Sequence, residues 1–145
     1  IDRLDLRNGN LFLIDYKTGA EKNVFTSVEE LFNGKPALKN DNVFQVLCYS
    51  FLYAERNPGS GTPVPLLYYL RTLTTGRNNG YLSYGRSILT EPTGVEELKN
   101  DFYARLKVLL EELFNFNIPF IQTEYSEHCK YCPFISICQR DKKDE

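Results

Sequence analysis

The sequence has 145 residues, enough for one domain with a modest core. Hydrophobic side chains make up 42% and charged ones 25%, an ordinary balance for a soluble globular protein. No apolar run approaches the ~18 residues that a membrane span requires. With 17 basic and 19 acidic residues the formal charge is −2. That excludes a whole-surface electrostatic grip on nucleic acid and leaves local patches for any such contact.

No secretory signal opens the chain, so its four cysteines read as free or metal-bound thiols of a reducing, cytoplasmic compartment. The chain opens on Ile1 and contains no Met. The expectation is a segment of a longer protein: a single domain over 1–145 with a cysteine-rich tail over 124–140.

In chain order, residues 1–7 and 11–16 read as two strands around Asn8-Gly9, a dipeptide suited to the type I′ hairpin turn. A polar, lysine-bearing stretch over 18–40 follows, with a short helix at 27–32. Asp41 is placed to cap a helix running to Arg56 and ended by Asn57-Pro58-Gly59. Residues 64–71 form a nearly continuous apolar run, the pattern of a strand buried on both faces. Residues 81–86 alternate weakly, as a further strand would. A long helix is expected over 95–116, where Leu98, Phe102, Leu106, Leu109, Leu113 and Phe116 form one stripe that reads as core packing. A charged end over 140–145 reads as frayed.

With Asn8 and Gly9 as the two loop residues, opposed positions of the hairpin sum to 17. Asp2 then lies across from Asp15, on one face, with Lys17 in the same parity. Leu4, Leu6, Leu11 and Leu13 share that face, which makes it the expected core side. The other face carries Arg3, Asp5, Arg7, Phe12, Ile14 and Tyr16, and Arg3 and Asp5 read there as structural. Two partly buried carboxylates repel, so a lysine and a divalent cation are the natural compensation. A surface salt-bridge cluster at a strand end is the plain alternative.

The combination Ile1-Asp2-Arg3-Leu4-Asp5, then Asp15-Tyr16-Lys17-Thr18-Gly19, then Gln45 and Tyr49, resembles the signature of PD-(D/E)XK nucleases of the RecB and AddB type. By motif it covers residues 1–54, and the cysteine tail extends it to 138. The resemblance implies an α/β fold, a restriction-endonuclease-like core with a central mixed sheet flanked by helices. It implies a metal-dependent deoxyribonuclease, an exonuclease that hydrolyses phosphodiester bonds as part of a helicase–nuclease in double-strand break repair. Asp2 and Asp15, with the backbone carbonyl of Tyr16, would hold Mg²⁺ or Mn²⁺, Lys17 would be the catalytic lysine, and Gln45 and Tyr49 would border the site on one helix face. Partners would be DNA and a helicase domain or subunit of an AddAB- or RecBCD-like complex, with no membrane. The family places another metal ligand on a helix before the first motif strand, and this chain starts at that strand. Two other readings are a stand-alone exonuclease of the CRISPR-associated type and an inactive DNA-binding or scaffolding module.

Cys129, Cys132 and Cys138 form C-x2-C-x5-C, three soft ligands close together. The AddB-like pattern implies a 4Fe–4S cluster in the full-length protein, with its fourth cysteine upstream and the cluster absent or incomplete here. Cys48 could complete a local set, but its helix neighbours Val46, Leu47 and Phe51 favour packing. His128 with the three cysteines would make a zinc site, awkward because His128 and Cys129 are adjacent.

Overall fold

The computed structural model describes residues 1–34, 40–73 and 79–140. Part of the polar stretch over 18–40, and the charged end beyond 140, lie outside the described residues. The chain folds as mixed α/β, with sheets flanked by helices, in keeping with a restriction-endonuclease-like core.

The first hairpin joins β1 (Arg3–Arg7) to β2 (Asn10–Lys17). Asn8 and Gly9 both have positive φ, 52° and 82°, as a type I′ turn requires. The register runs from Arg3 opposite Ile14 to Arg7 opposite Asn10, each pair summing to 17. On its other edge β2 pairs in parallel with β4 (Val64–Tyr69), giving the order β1-β2-β4. A parallel pair needs a crossover, and α1 (Asp41–Arg56) supplies it. Asn40 is the N-cap of α1 and accepts from the Val43 amide, so the cap sits one residue before the expected Asp41. At the far end the Asn57 amide bonds back to Tyr53 before Pro58 ends the helix.

Both faces of β2 are buried, which corrects the expectation of a single leucine-rich core side. Leu13 joins Val43, Val46, Leu47 and Phe51 of α1 and Leu67 and Tyr69 of β4 in the main core. On the opposite face, Phe12 and Ile14 pack with Val64 and Leu66 in a second cluster. Leu4 and Leu6 stay exposed, at 40% and 74%. The reason is position: β2 is central and covered on both sides, whereas β1 is an edge strand. The run expected over 64–71 ends as a strand at Tyr69, and α2 (Leu70–Leu73) turns away from the sheet.

A second small sheet pairs β3 (Val24–Phe25) with β5 (Ser83–Tyr84), and β5 with β6 (Ser87–Ile88). The strand expected over 81–86 is thus shorter, with Tyr81 making only an isolated bridge to Leu66. Gly80 precedes it at φ 80°, and the Tyr68 ring fills the space a side chain there would need. The helix expected at 27–32 is a 3-10 turn over Glu29–Phe32.

The long helix expected over 95–116 is two helices, α3 (Pro92–Glu96) and α4 (Lys99–Leu113). Its stripe is core only at the start: Phe102 is fully buried among Phe32, Phe44 and Phe51, with ring centroids 5.2–5.4 Å apart. Leu109, Leu113 and Phe116 are 43%, 52% and 103% exposed. From Phe102 to Leu113 a helix rises about 16 Å, which carries the stripe past the body of the domain.

Candidate active site

The expected site residues come from three elements at one end of the main sheet. Asp15 and Lys17 sit at the carboxyl end of β2, where the parallel β2–β4 pair ends. Gln45 and Tyr49 lie one turn apart on α1, and Asp2 immediately precedes β1. Parity sends Asp15 and Lys17 to the α1 side with Leu13, because that face of a central strand is the one the crossover helix covers.

Lys17 Nζ lies 2.7 Å from Asp15 Oδ2 and donates to Gln45 Oε1 at 2.6 Å. The Asp15 side chain is only 8% exposed and that of Lys17 is 20% exposed. Gln45 Nε2 in turn donates to the Tyr49 hydroxyl at 2.9 Å. Lysine can only donate, so the Gln45 carbonyl must face it and the amide must face Tyr49. The chain Lys17–Gln45–Tyr49 therefore fixes the orientation of the Gln45 amide. Tyr49 also packs its ring against the main core, so its packing and polar contacts coexist.

Asp15 Oδ2 is buried and makes no hydrogen bond of good geometry among the described residues. The nearby ammonium is within ion-pair range but approaches outside hydrogen-bonding directions. Its burial is offset by that ammonium, so the oxygen is charge-paired although no hydrogen bond of good geometry reaches it. A hard divalent cation suits carboxylate and carbonyl oxygens, which Asp15 and the Tyr16 main chain can offer, while one Asp15 oxygen is already held by Lys17.

Asp2 is held differently. The ladder ends at Arg3 opposite Ile14, and the Tyr16 amide donates to Asp2 Oδ2 at 2.8 Å. The Asp2 carboxylate thus takes the place of a main-chain acceptor at the strand end, beside Asp15 in sequence register but outside the strand. Among the described residues no group of three or more His, Cys, Asp or Glu side chains is gathered for a metal.

The tail organises separately. Cys129, Cys132 and Cys138 are free thiols of intermediate burial around a 3-10 turn over Ser126–Cys129. Arg140 links this segment to itself, donating to Gln122 Oε1 at 3.2 Å and reaching Cys129 Sγ at 3.4 Å. His128 Nε2 lies 2.8 Å from the Gly34 carbonyl, which pins the tail to the body. Cys48 packs against the main core, and burial pushes its thiol pKa up.

One support of the site carries no motif. Tyr69, opposite Lys17 in the β2–β4 register, is fully buried and donates its hydroxyl to the Lys22 carbonyl at 2.8 Å. Asn42 of α1 lies 3.2 Å from the same hydroxyl, so the segment after Lys17 is tied to both sheet and helix. The apolar run over 64–71 predicted a buried Tyr69 but not where its hydroxyl would go.

A family model described as the PD-(D/E)XK nuclease superfamily matches residues 1–139. No curated protein and no solved structure matches the chain. No described helix is long and apolar enough to cross a membrane. The match spans both motif strands, the crossover helix and the cysteine segment: the chain belongs to the PD-(D/E)XK nuclease superfamily.

Proposed function

We propose that the chain is the catalytic domain of a metal-dependent DNA exonuclease of the RecB/AddB type, working with a helicase in double-strand break repair. The observation that carries this reading is the buried Asp15 carboxylate paired with Lys17, whose ammonium is also held by Gln45. Asp15, Asp2 and the Tyr16 carbonyl are the groups that would hold Mg²⁺ or Mn²⁺. Bound there, the cation would supply an activated water and a sink for charge on the phosphate oxygens.

The remaining work belongs to side chains. Hydrolysis joins a water oxygen to phosphorus and expels one ester oxygen, and negative charge builds on the phosphoryl oxygens between. The Lys17 ammonium, held by Gln45, orients the water and steadies that charge in a site shielded from bulk solvent. Gln45 gives the Lys17 ammonium a second acceptor beside Asp15, and Tyr49 keeps Gln45 from flipping. The cysteine tail is proposed to clasp the domain through a 4Fe–4S cluster held in part by Cys129, Cys132 and Cys138.

The engagement of Asp2 by the Tyr16 amide favours a second reading, a DNA-binding module that does not cut. End-labelled linear DNA and a covalently closed circle, each incubated with Mg²⁺, Mn²⁺ or EDTA, separate the two. Metal-dependent release of short products from the linear substrate alone, lost in Asp15→Asn, supports the exonuclease. Cutting of the circle makes it an endonuclease, and binding without cutting leaves the scaffold.

A further inference from the structure

The sheet face away from α1 carries a second arrangement of polar groups. Arg3, Asp5 and Arg7 alternate onto that face of the edge strand β1, beside Ile14, Phe12 and Asn10 of β2. The two oxygens of Asp5 are divided between the arginines, with Arg3 Nε 2.6 Å from Oδ1 and Arg7 Nη2 2.6 Å from Oδ2. The Asp5 side chain is only 13% exposed, while those of Arg3 and Arg7 remain 54% and 46% exposed.

The two guanidiniums, Arg3 first, hold the Asp5 carboxyl below its usual range. Asp5 and then Tyr16 raise Arg3, and Asp5 and then Tyr68 raise Arg7, so each arginine has one of the two tyrosines as a neighbour. Those tyrosines pair in register across β2 and β4, with ring centroids 6.1 Å apart and Tyr16 36% exposed.

A covering role accounts for part of this. The Arg7 guanidinium lies 5.5 Å from the Phe12 ring centroid, and the long stems shield an apolar floor of Phe12, Ile14, Val64 and Leu66. Covering does not require two cations on one carboxylate. One arginine would neutralise Asp5, and the second leaves the Arg3–Asp5–Arg7 trio with a net positive charge on a chain whose formal charge is −2. Asp5 prevents either arginine from folding away and spends only part of each fork, since a guanidinium carries five donors.

We propose that this ridge binds the single-stranded nucleic acid next to the bond to be cut, with Arg3 and Arg7 on its phosphates and Tyr16 and Tyr68 as a stacking platform for a base. The inference rests on the nuclease reading and adds to it the form of substrate and its path. Tyr16 lies between Asp15 and Lys17 in sequence and points to the other face, so a strand crossing the sheet end meets the site and the ridge in succession. Arg3 and Arg7 stand four residues apart on β1, and their guanidiniums converge on the two oxygens of Asp5. The exposed Tyr16 ring and the partly buried Tyr68 ring lie beside cations, which suits unstacked bases that a duplex keeps inside.

The test is fluorescence anisotropy of a labelled thymidine 15-mer with the 145-residue chain in EDTA, so that binding is read without cutting. Arg3→Met/Arg7→Met keeps the stems over the floor and removes both charges. Its affinity at low salt should fall about tenfold or more, and its slope of log affinity against log salt should shrink by about 1.4, or ~0.7 per phosphate contact. Arg7→Gln alone should lose about half of that slope and Arg7→Lys none, which keeps the test open if the double variant folds poorly. Tyr68→Leu should weaken binding about tenfold with the slope unchanged, and Tyr68→Phe should bind as wild type. Absence of single-strand binding by wild type, equal binding of a duplex, or unchanged slopes in the arginine variants would each overturn the proposal. Cleavage by wild type against Asp15→Asn is read separately with metal, so failure of the nuclease reading is distinguishable from failure of the ridge.

Discussion

Replacing Lys17 by methionine asks whether the Lys17–Asp15 pair is a working part of a site or a surface ion pair at a strand end. At 2.7 Å the gross Coulomb attraction is about 6 kcal/mol at an effective dielectric near 20. Desolvation of both groups offsets most of it. Removing one partner of a fully buried pair costs ~3–5 kcal/mol, and the one-fifth exposure of Lys17 argues for less, about 2–3 kcal/mol. For a chain of this length that is roughly 5–10 °C in melting temperature. Lys17→Met/Asp15→Asn should recover most of that loss, because an amide at position 15 carries no charge to leave unpaired. A surface pair would cost at most about 1 kcal/mol and show little coupling. In activity, Lys17→Met should lower cleavage about 10²–10³-fold while sparing DNA affinity. Thermal melts of the four proteins in the cycle, with cleavage of end-labelled DNA, give both answers. A melting temperature within about 1 °C of wild type together with cleavage within a few-fold would refute the reasoning.

Gln45→Leu should lower the cleavage rate more than it lowers stability, since Lys17 loses its anchor, and Gln45→Glu should retain part of the rate by still accepting from Lys17. Phe102→Ala should cost ~3–5 kcal/mol by urea unfolding, whereas Phe116→Ala should stay within about 0.5 kcal/mol, because only Phe102 is buried. Asp5→Asn should lower the melting temperature at neutral pH, read by circular dichroism. Asp5 has a depressed folded pKa, so its contribution is fully present above the usual carboxylate value and is lost as pH falls through the folded one. The gap between wild type and Asp5→Asn should therefore close below about pH 4.

The parts of the fold that local chemistry dictates were legible in the sequence. Asn8-Gly9 set the turn and hence the register, and Asn57-Pro58-Gly59 bounded the end of α1, whose N-cap lies one residue before the expected Asp41. What periodicity could not supply was the extent of the body against which each element packs. Leu4 and Leu6 have the same parity as Leu13, yet only Leu13 lies beneath α1, because burial depends on which strand is central. The α4 stripe fails for the same reason, since a helical repeat says which face is apolar and not where the partner surface ends. At the site, parity placed Asp15 and Lys17 on the α1 side, and helical spacing brought Gln45 and Tyr49 together. The turn of Asp2 toward the Tyr16 amide was not legible, because it occurs where the ladder stops and parity no longer applies. The Tyr69 clamp was hidden for a different reason: the partner of its hydroxyl is a main-chain carbonyl, which carries no residue signature.

The two misses at the site, Asp2 and Tyr69, have a setting in common that bears on how the site works. The polar groups of the site gather where regular structure ends: Asp2 before β1, Lys17 at the last position of β2, and Lys22 in the segment beyond. At such a place the backbone has unspent donors and acceptors, and side chains must complete them. Asp2 completes the Tyr16 amide, and Tyr69 takes the Lys22 carbonyl. The rigid part lies one residue inward, where Leu13 and Ile14 are fully buried on opposite faces of the same strand. Asp15 therefore inherits a fixed backbone from its neighbours, and its Oδ2 faces the Lys17 ammonium. Rigid backbone beneath a carboxylate is the condition under which it can hold a ligand in one position. Moving the same Asp–Lys pair two residues inward would seal it in the core, and moving it two residues outward would leave it to water and fraying.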